Sequence, residues 1–448
     1  MTTLSSIVAR GVALVGNAAL QWRKLQGETP QPAWGTQPQI PVAKPQGLLP
    51  TLKMPTARGW RDGERPVAAP GLKVNAFATG LDHPRWIYVM PDKSVLIAEA
   101  TQIPSPVRNM FGYAMQATMR RAAALGVSAN RITRLVDADG DGTAERRNAF
   151  MENLSQPFGM ALVGDTFYVG NTDGIVAFPY AAGAERITAQ GKRLTTFKPG
   201  GHWTRSLLVS PDGAKLYAGV GSLSNIAEQG FEVEKGRACI YELDIASGQS
   251  RIFAGGLRNA VGLAFEPTTR VLWTVVNERD GLGDETPPDY LTSVREGGFY
   301  GWPYCYWGKT VDDRVPQDPA LVATALTPDY ALGGHTASLG LCWLPAGTLP
   351  GFPDGMVEPQ QAVRLQGRVH PVRERQTVGT GARHSLRLPG AGRKLLLRPA
   401  GRRDARPGRI AAGRRRCRQL HLARDRGVRA GPGAAPALRV GRHAQSWP

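Results

Sequence analysis

From Gly71 onward, apolar residues come in runs of four to six, separated by Pro-Asp, Asp-Gly or single Gly turns. Such short runs with turn residues at both ends predict β-strands joined by hairpins. Helical spacing of apolar positions is confined to Val107 to Leu125. The strands recur as a unit of polar loop, apolar run, tight turn and second apolar run. Copies read GLDHPRWIYVMPDKSVLIAEA (80–100), NLSQPFGMALVGDTFYVGNTDGIVAF (153–178), HWTRSLLVSPDGAKLYAGVGS (202–222) and GLRNAVGLAFEPTTRVLWTVVNERD (256–280). A fifth copy starts at HTASLGLCWLPAGTLPG (335–351). Repeats of roughly fifty to seventy residues, none able to bury both its faces alone, predict an all-β fold of the β-propeller kind. In that fold the loop before each innermost strand points at the central channel. His83, Pro157, His202, Arg258, Asn259 and His335 are therefore expected to converge on one concave site.

The pattern stops near Met356. Val357 to Pro448 holds 22 of the chain's 55 basic residues and 4 of its 36 acidic ones, leaving 33 against 32 for positions 1 to 356. All but one unit of the formal charge of +19 thus belongs to the last 92 residues, and the repeat-bearing part carries no field that would attract nucleic acid. The same stretch has no Phe, no Tyr and one Trp, so it is not expected to build a sheet core. It reads as a disordered basic tail, as an Arg/Gly-rich nucleic-acid arm, or as a coding frame shifted by one base. The third reading is favoured, because with a suitable choice of codons the other frame can read strand-like and turn-like sequence, WNRNKPSGYK over 358–367 among it.

At the other end, Ile7 to Leu20 is apolar but broken by Arg10 and Asn17. It is too short to span a bilayer, and residues 1–28 read as a degraded signal or membrane anchor. Residues 29–70, with prolines at 30, 32, 38, 41, 45, 50 and 55, read as an extended linker to the domain 71–356. Cysteines show no metal-binding spacing; a Cys305–Cys342 disulfide is the one pairing entertained.

Seven blocks in register resemble the glucose/sorbosone dehydrogenase family, the soluble quinoproteins that use pyrroloquinoline quinone (PQQ) and calcium, and most nearly its sorbosone branch. They are GLDHPRW, NRITRLVDADGDG, PFGMALVG, GGHWTRSLLVSPDG, GLRNAVGLAF, NERDGLGDETPPDYLTSVREGGFYGWPY and GGHTASLGL, and they cover Gly71 to Met356. The resemblance implies a six-bladed propeller of the quinoprotein glucose dehydrogenase type, here with its last blades incomplete and a disordered or non-native tail over 357–448. It also implies a periplasmic or secreted protein that passes hydride from a sugar or sugar-derived aldehyde to PQQ, and then electrons to an acceptor of unknown identity.

Residue by residue, the resemblance makes His202 the catalytic base and Arg258 with Asn259 the pair that hydrogen-bonds the quinone. Ala260-Val261 stands where the family has Pro-Gln, which removes one contact from that set. For calcium, the segment 277–304 offers Asp284 and Glu285 as carboxylate ligands. Asp137 to Gly142 also matches the start of an EF-hand loop, but Asn148 stands at position twelve where a bidentate Glu is needed. A calcium-holding hairpin loop and an ordinary Asp/Gly turn both remain open there. Two readings of other classes remain as well, a calcium-dependent propeller lactonase and a propeller that only binds. Neither calls for the cationic and amide donors of Arg258 and Asn259 that a flat polyanion needs.

Overall fold

The computed structural model describes residues 34–44, 56–61, 63–68, 71–104, 106–107, 110–349, 352–360 and 366–370. Four antiparallel four-stranded sheets follow one another along the chain. The first is β1 (Pro84–Val89), β2 (Val95–Glu99), β3 (Arg131–Val136) and β4 (Arg146–Met151). The second is β5 (Met160–Val163), β6 (Thr166–Asn171), β7 (Gly174–Pro179) and β8 (Lys192–Arg193). The third is β9 (Leu207–Val209), β10 (Lys215–Val220), β11 (Cys239–Asp244) and β12 (Ser250–Gly255). In the fourth, β13 (Ala260–Phe265), β14 (Leu272–Val276) and β15 (Pro288–Ser293) are separated from β18 (Tyr330–Gly334) by a ribbon of β16 (Cys305–Tyr306) and β17 (Thr310–Val311). A three-stranded fifth sheet is β19 (Cys342–Leu344), β20 (Gly355–Gln360) and β21 (Gln366–His370). The longest helix among the described residues is α1 (Met110–Arg121), in the connection from β2 to β3, and two short ones span Phe231–Glu234 and Pro319–Thr324.

Strand order within each sheet is sequence order, so each repeat is a meander and a blade of a propeller. The core confirms it. Four apolar clusters lie between consecutive sheets: Leu96, Phe150 and Phe167 between the first two, Tyr168, Leu216 and Ile240's neighbour Cys239 between the second and third. Tyr217, Ile240, Leu263 and Tyr290 fill the space between the third and fourth, and Val275, Leu291, Trp343 and Met356 that between the fourth and fifth. A strand that is apolar on both faces is the pattern such stacking requires. Innermost strands show it plainly, with Ala161 at 1%, Leu208 at 8% and Leu263 at 5% exposure. On β1, by contrast, Ile87 is 57% exposed.

Three expectations change. The break at Met356 falls inside β20, whose residues Met356 to Gln360 pair with β21, so 357–360 and 366–370 form a hairpin. Ladder hydrogen bonds come from the backbone and so form whatever the composition of the segment, Pro359 lacking only the donor. Most of the tail, 371–448, and the segment 1–28 lie outside the described residues. The described parts of the Pro-rich stretch are laid on the propeller: Gly35 pairs with Ala331, Lys44 N donates to Leu282 O at 2.7 Å, and Ala57 N donates to Arg121 O at 3.0 Å. Cys305 and Cys342 are free thiols, one on the inserted ribbon and one on β19, so the disulfide is not formed. Among the described residues no helix is long and apolar enough to cross a membrane.

Candidate active site

His202 sits in the loop that enters β9, and its position is set by the end of β10. Its backbone N–H donates to Ser222 O at 3.0 Å, and its ring Nδ1 lies 2.9 Å from the same oxygen and 3.1 Å from Ser222 Oγ. A carbonyl oxygen only accepts, so Nδ1 carries the hydrogen. Ser222 Oγ spends its own hydrogen on Ser224 O at 2.7 Å and can only accept as well. Nε2 is therefore left as a bare lone pair. Burial, reinforced by the charge of Arg258, pushes the imidazole pKa down to about 3, so the ring is neutral across the physiological range.

Gly221 brings the next residue in. A methyl group at Gly221 would overlap both the Asn259 carboxamide and the His202 side chain, so glycine is what lets those two approach across the end of β10. Asn259 is buried and its Oδ1 has no hydrogen-bond partner. Two neighbours share that state, Asn277 Oδ1 and Glu278 Oε1, and Asn277 N donates to Asn259 O at 3.1 Å. Unpaired buried polar atoms are costly, and three of them in linked residues mark a place built for a polar ligand.

Arg258 is more committed than the sequence suggests. Its guanidinium donates to Asn225 O, Asn225 Oδ1, Asn277 O and Glu278 O at 2.5 to 3.3 Å. Most of its five N–H donors thus fasten the β10–β11 and β14–β15 connections, leaving little for a ligand. Beyond it stands Asp280, 3.8 Å from Arg258 Nη2 and 3.2 Å from His335 Nδ1. His335 Nε2 lies 2.9 Å from Gly283 O, so both ring nitrogens face acceptors and the ring is an imidazolium. The hydrogen bond to Asp280 pushes its pKa up to about 9 despite burial. Glu278, fully enclosed, is pushed up to about 7 by burial.

Of the six residues expected to converge, His202, Arg258, Asn259 and His335 form one linked group. His83 lies beside Asp82 at 3.8 Å and against Gly126. Pro157, which has no backbone N–H to offer, is flanked by Gln156, whose side chain donates to Thr101 O. Asp280, Glu278, Asn277, Gly221 and Ser222 escaped the sequence reading. Asp280 lay within the quoted NERDGLGDETPPDY block but outside its paired carboxylates, and Gly221 carries no side chain to draw notice.

The metal ligands divide differently. Asp284 is exposed and Glu285 half-buried, on the loop whose backbone packs against Gly334. Among the described residues, the group that brings three or more ligand atoms within 4.8 Å of one another is Asp137, Asp139, Asp141 and Glu145. Glu145, at the ninth position of that loop, supplies the carboxylate that Asn148 does not. Asn148 belongs to β4 and its amide instead donates to Glu185 O at 2.7 Å.

Residues 122–321 match the family described as TrAA12-like. Over 273 residues the chain is 26% identical to a pyrroloquinoline quinone-dependent sugar dehydrogenase of Hypocrea jecorina, covering 54% of this chain and 57% of that protein. Over 142 residues it is 31% identical to an uncharacterized protein of Borreliella burgdorferi, covering 31% and 36%. The chain thus spans about a third to a little over half the length of these two curated relatives. The calcium structure of a Trichoderma reesei Carbohydrate-Active Enzymes Family AA12 protein superposes with a TM-score of 0.52 at 20% identity, covering 67% of this chain and 83% of that one, which shows the shared fold. In sequence, residues 122–321 are thus similar to the TrAA12-like family, and over 273 residues the chain is similar to a PQQ-dependent sugar dehydrogenase.

Proposed function

We propose that this propeller oxidises a sugar or sugar-derived aldehyde of the aldose or sorbosone type outside the cytoplasm, with PQQ and calcium as cofactors. The observation that carries the reading is the bare Nε2 of a neutral His202 beside the unpaired carboxamide of Asn259. The polar set fits the group: the unpaired Oδ1 atoms of Asn259 and Asn277 can accept from substrate hydroxyls, and the remaining N–H of Arg258 can donate to a carboxylate or quinone oxygen. Bound quinone would supply the acceptor for hydride leaving the hydroxyl-bearing carbon, with calcium as the Lewis acid beside it. His202 takes the hydroxyl proton at Nε2 as the hydride departs, and Nδ1–H on Ser222 O fixes the ring for that transfer. Asp284 and Glu285 are the proposed calcium ligands.

The same reading holds that this chain works poorly. Ile87 is exposed on an innermost strand whose counterparts are buried, which is the surface a closing blade would cover. A one-base frame change after Met356 accounts for both that open face and the change in composition. The test is dye reduction with aldoses, by the 448-residue chain and by a frame-restored version, with and without PQQ and with calcium chelated. Turnover by the restored protein that needs both cofactors, and is lost on His202→Asn, is the expected result. Dye reduction that survives chelation without quinone, or turnover of lactones instead of sugars, would overturn it.

A further inference from the structure

Arg237 stands at the start of β11, almost wholly buried, and its charge is met by backbone carbonyls. Nε donates to Gly221 O at 2.9 Å and Nη1 to Lys198 O at 2.7 Å. Nη2 reaches Gly200 O at 2.8 Å, His202 O at 3.0 Å and Ser222 O at 3.2 Å. Those five acceptors lie on two segments, the loop that carries His202 and the end of β10 that receives its ring. Ser222 O is the shared atom, accepting from His202 N, His202 Nδ1 and Arg237 Nη2. A second arginine, Arg205, holds His202 O from the other side at 2.7 Å.

Burying a guanidinium among neutral acceptors is expensive, and a planar fork spends its donors only in a fixed geometry. An ordinary loop could be held by backbone bonds alone. We propose that Arg237 is the positioning residue for His202: by clamping the carbonyls of residues 200, 202, 221 and 222 it keeps Ser222 O under Nδ1 and so keeps Nε2 bare and aimed into the site. The catalytic consequence rests on His202 being the base, whereas the geometric one does not.

Four charged groups bear on the ring: Arg258, Arg237 and Asp280 through space, and Arg205 through the His202 carbonyl. Removing Arg237 takes away one cation and the clamp together, so the imidazole should protonate more easily and lose its single tautomer. The experiment is nitrogen NMR of histidine-labelled 448-residue protein from pH 5 to 8, for the parent, Arg237→Gln and Arg237→Lys. The parent should show His202, identified by its loss in His202→Asn, as one neutral Nδ1–H tautomer throughout. In Arg237→Gln it should show mixed tautomers and protonate at higher pH than in the parent, and Arg237→Lys, which keeps the charge but not the fork, should mix the tautomers without that rise. An unchanged His202 signal in either folded variant overturns the proposal, and Arg237→Lys decides it if Arg237→Gln does not fold. In dye assays of the frame-restored protein, Arg237→Lys should lower kcat about tenfold to a hundredfold with KM nearly constant. If sugar oxidation is absent from the parent, the reading of function fails while the NMR result still judges Arg237.

Discussion

His335 and Asp280 face each other at 3.2 Å with a pH window that follows from their charges. The folded pKa of His335 is raised to about 9 from an ordinary 6.5, so its contribution is fully present below pH 6.5 and is lost as pH climbs through about 9. The Asp280 carboxyl is held below its usual range, burial opposing the bonds and charges of His335 and Arg258, so its share is lost only in acid. Since the Asp280 carboxylate stands largely in solvent, the pair is worth about 0.5–1 kcal/mol. Asp280→Asn should therefore destabilise the protein by that amount at pH 6 and by almost nothing at pH 10. Urea denaturation at the two values checks it, and an equal loss at both would contradict the ion pair. His202 has the opposite electrostatic setting, since burial and cations keep it neutral where His335 is charged. The sequence offered both histidines in equivalent loops, and only their partners, Ser222 O and Asp280, distinguish a base from a cation.

Two loops of the fourth sheet, the β14–β15 connection and the one that follows β18, are joined by one buried carboxylate on β15. Asp289 Oδ1 accepts from Glu278 N at 2.7 Å, while Oδ2 accepts from Ala337 N at 2.8 Å and Thr336 Oγ1 at 3.1 Å. The first loop holds Arg258 through the carbonyls of Asn277 and Glu278, and the second carries His335. Burial raises the Asp289 pKa even so, which shows how costly its enclosure is. Asp289→Ala would strand three donors, and a loss of about 2–4 kcal/mol is expected. Hydrogen exchange at the amides of Glu278 and Ala337 should quicken together, by more than tenfold. Quickening of one without the other would show that Asp289 does not couple the loops. The hairpins of these sheets were legible from their turns, because a Pro-Asp or Gly turn between apolar runs leaves few alternatives. Asp289 was not, because it sits in the apolar run PDYLTS and its partners are 11 and 48 residues away.

On the scale of the molecule, Ile87 measures whether the ring is closed beside β1. In the 448-residue chain, Ile87→Asp should change stability by no more than about 0.5 kcal/mol, as for an exposed position. With the frame restored, the same substitution should cost more than about 2 kcal/mol, because a closing blade would bury it. Equal effects in the two proteins, measured by denaturant midpoint, would remove the case for a missing neighbour. The sequence by itself determined the repeat, its hairpins and the limits of the apolar pattern, because alternation and turn chemistry act over a few residues and do not depend on what lies opposite. It also singled out His202, Arg258 and Asn259 as residues of one loop type. Tertiary structure alone decided that Gly221 draws His202 against Asn259, that Arg258 is spent largely on carbonyls, and that Glu145 rather than Asn148 completes the acidic loop. It also carried β20 through Met356. Those outcomes rest on which backbone carbonyls and neighbouring sheets meet across tens of residues, and residue type along the chain does not encode that meeting locally.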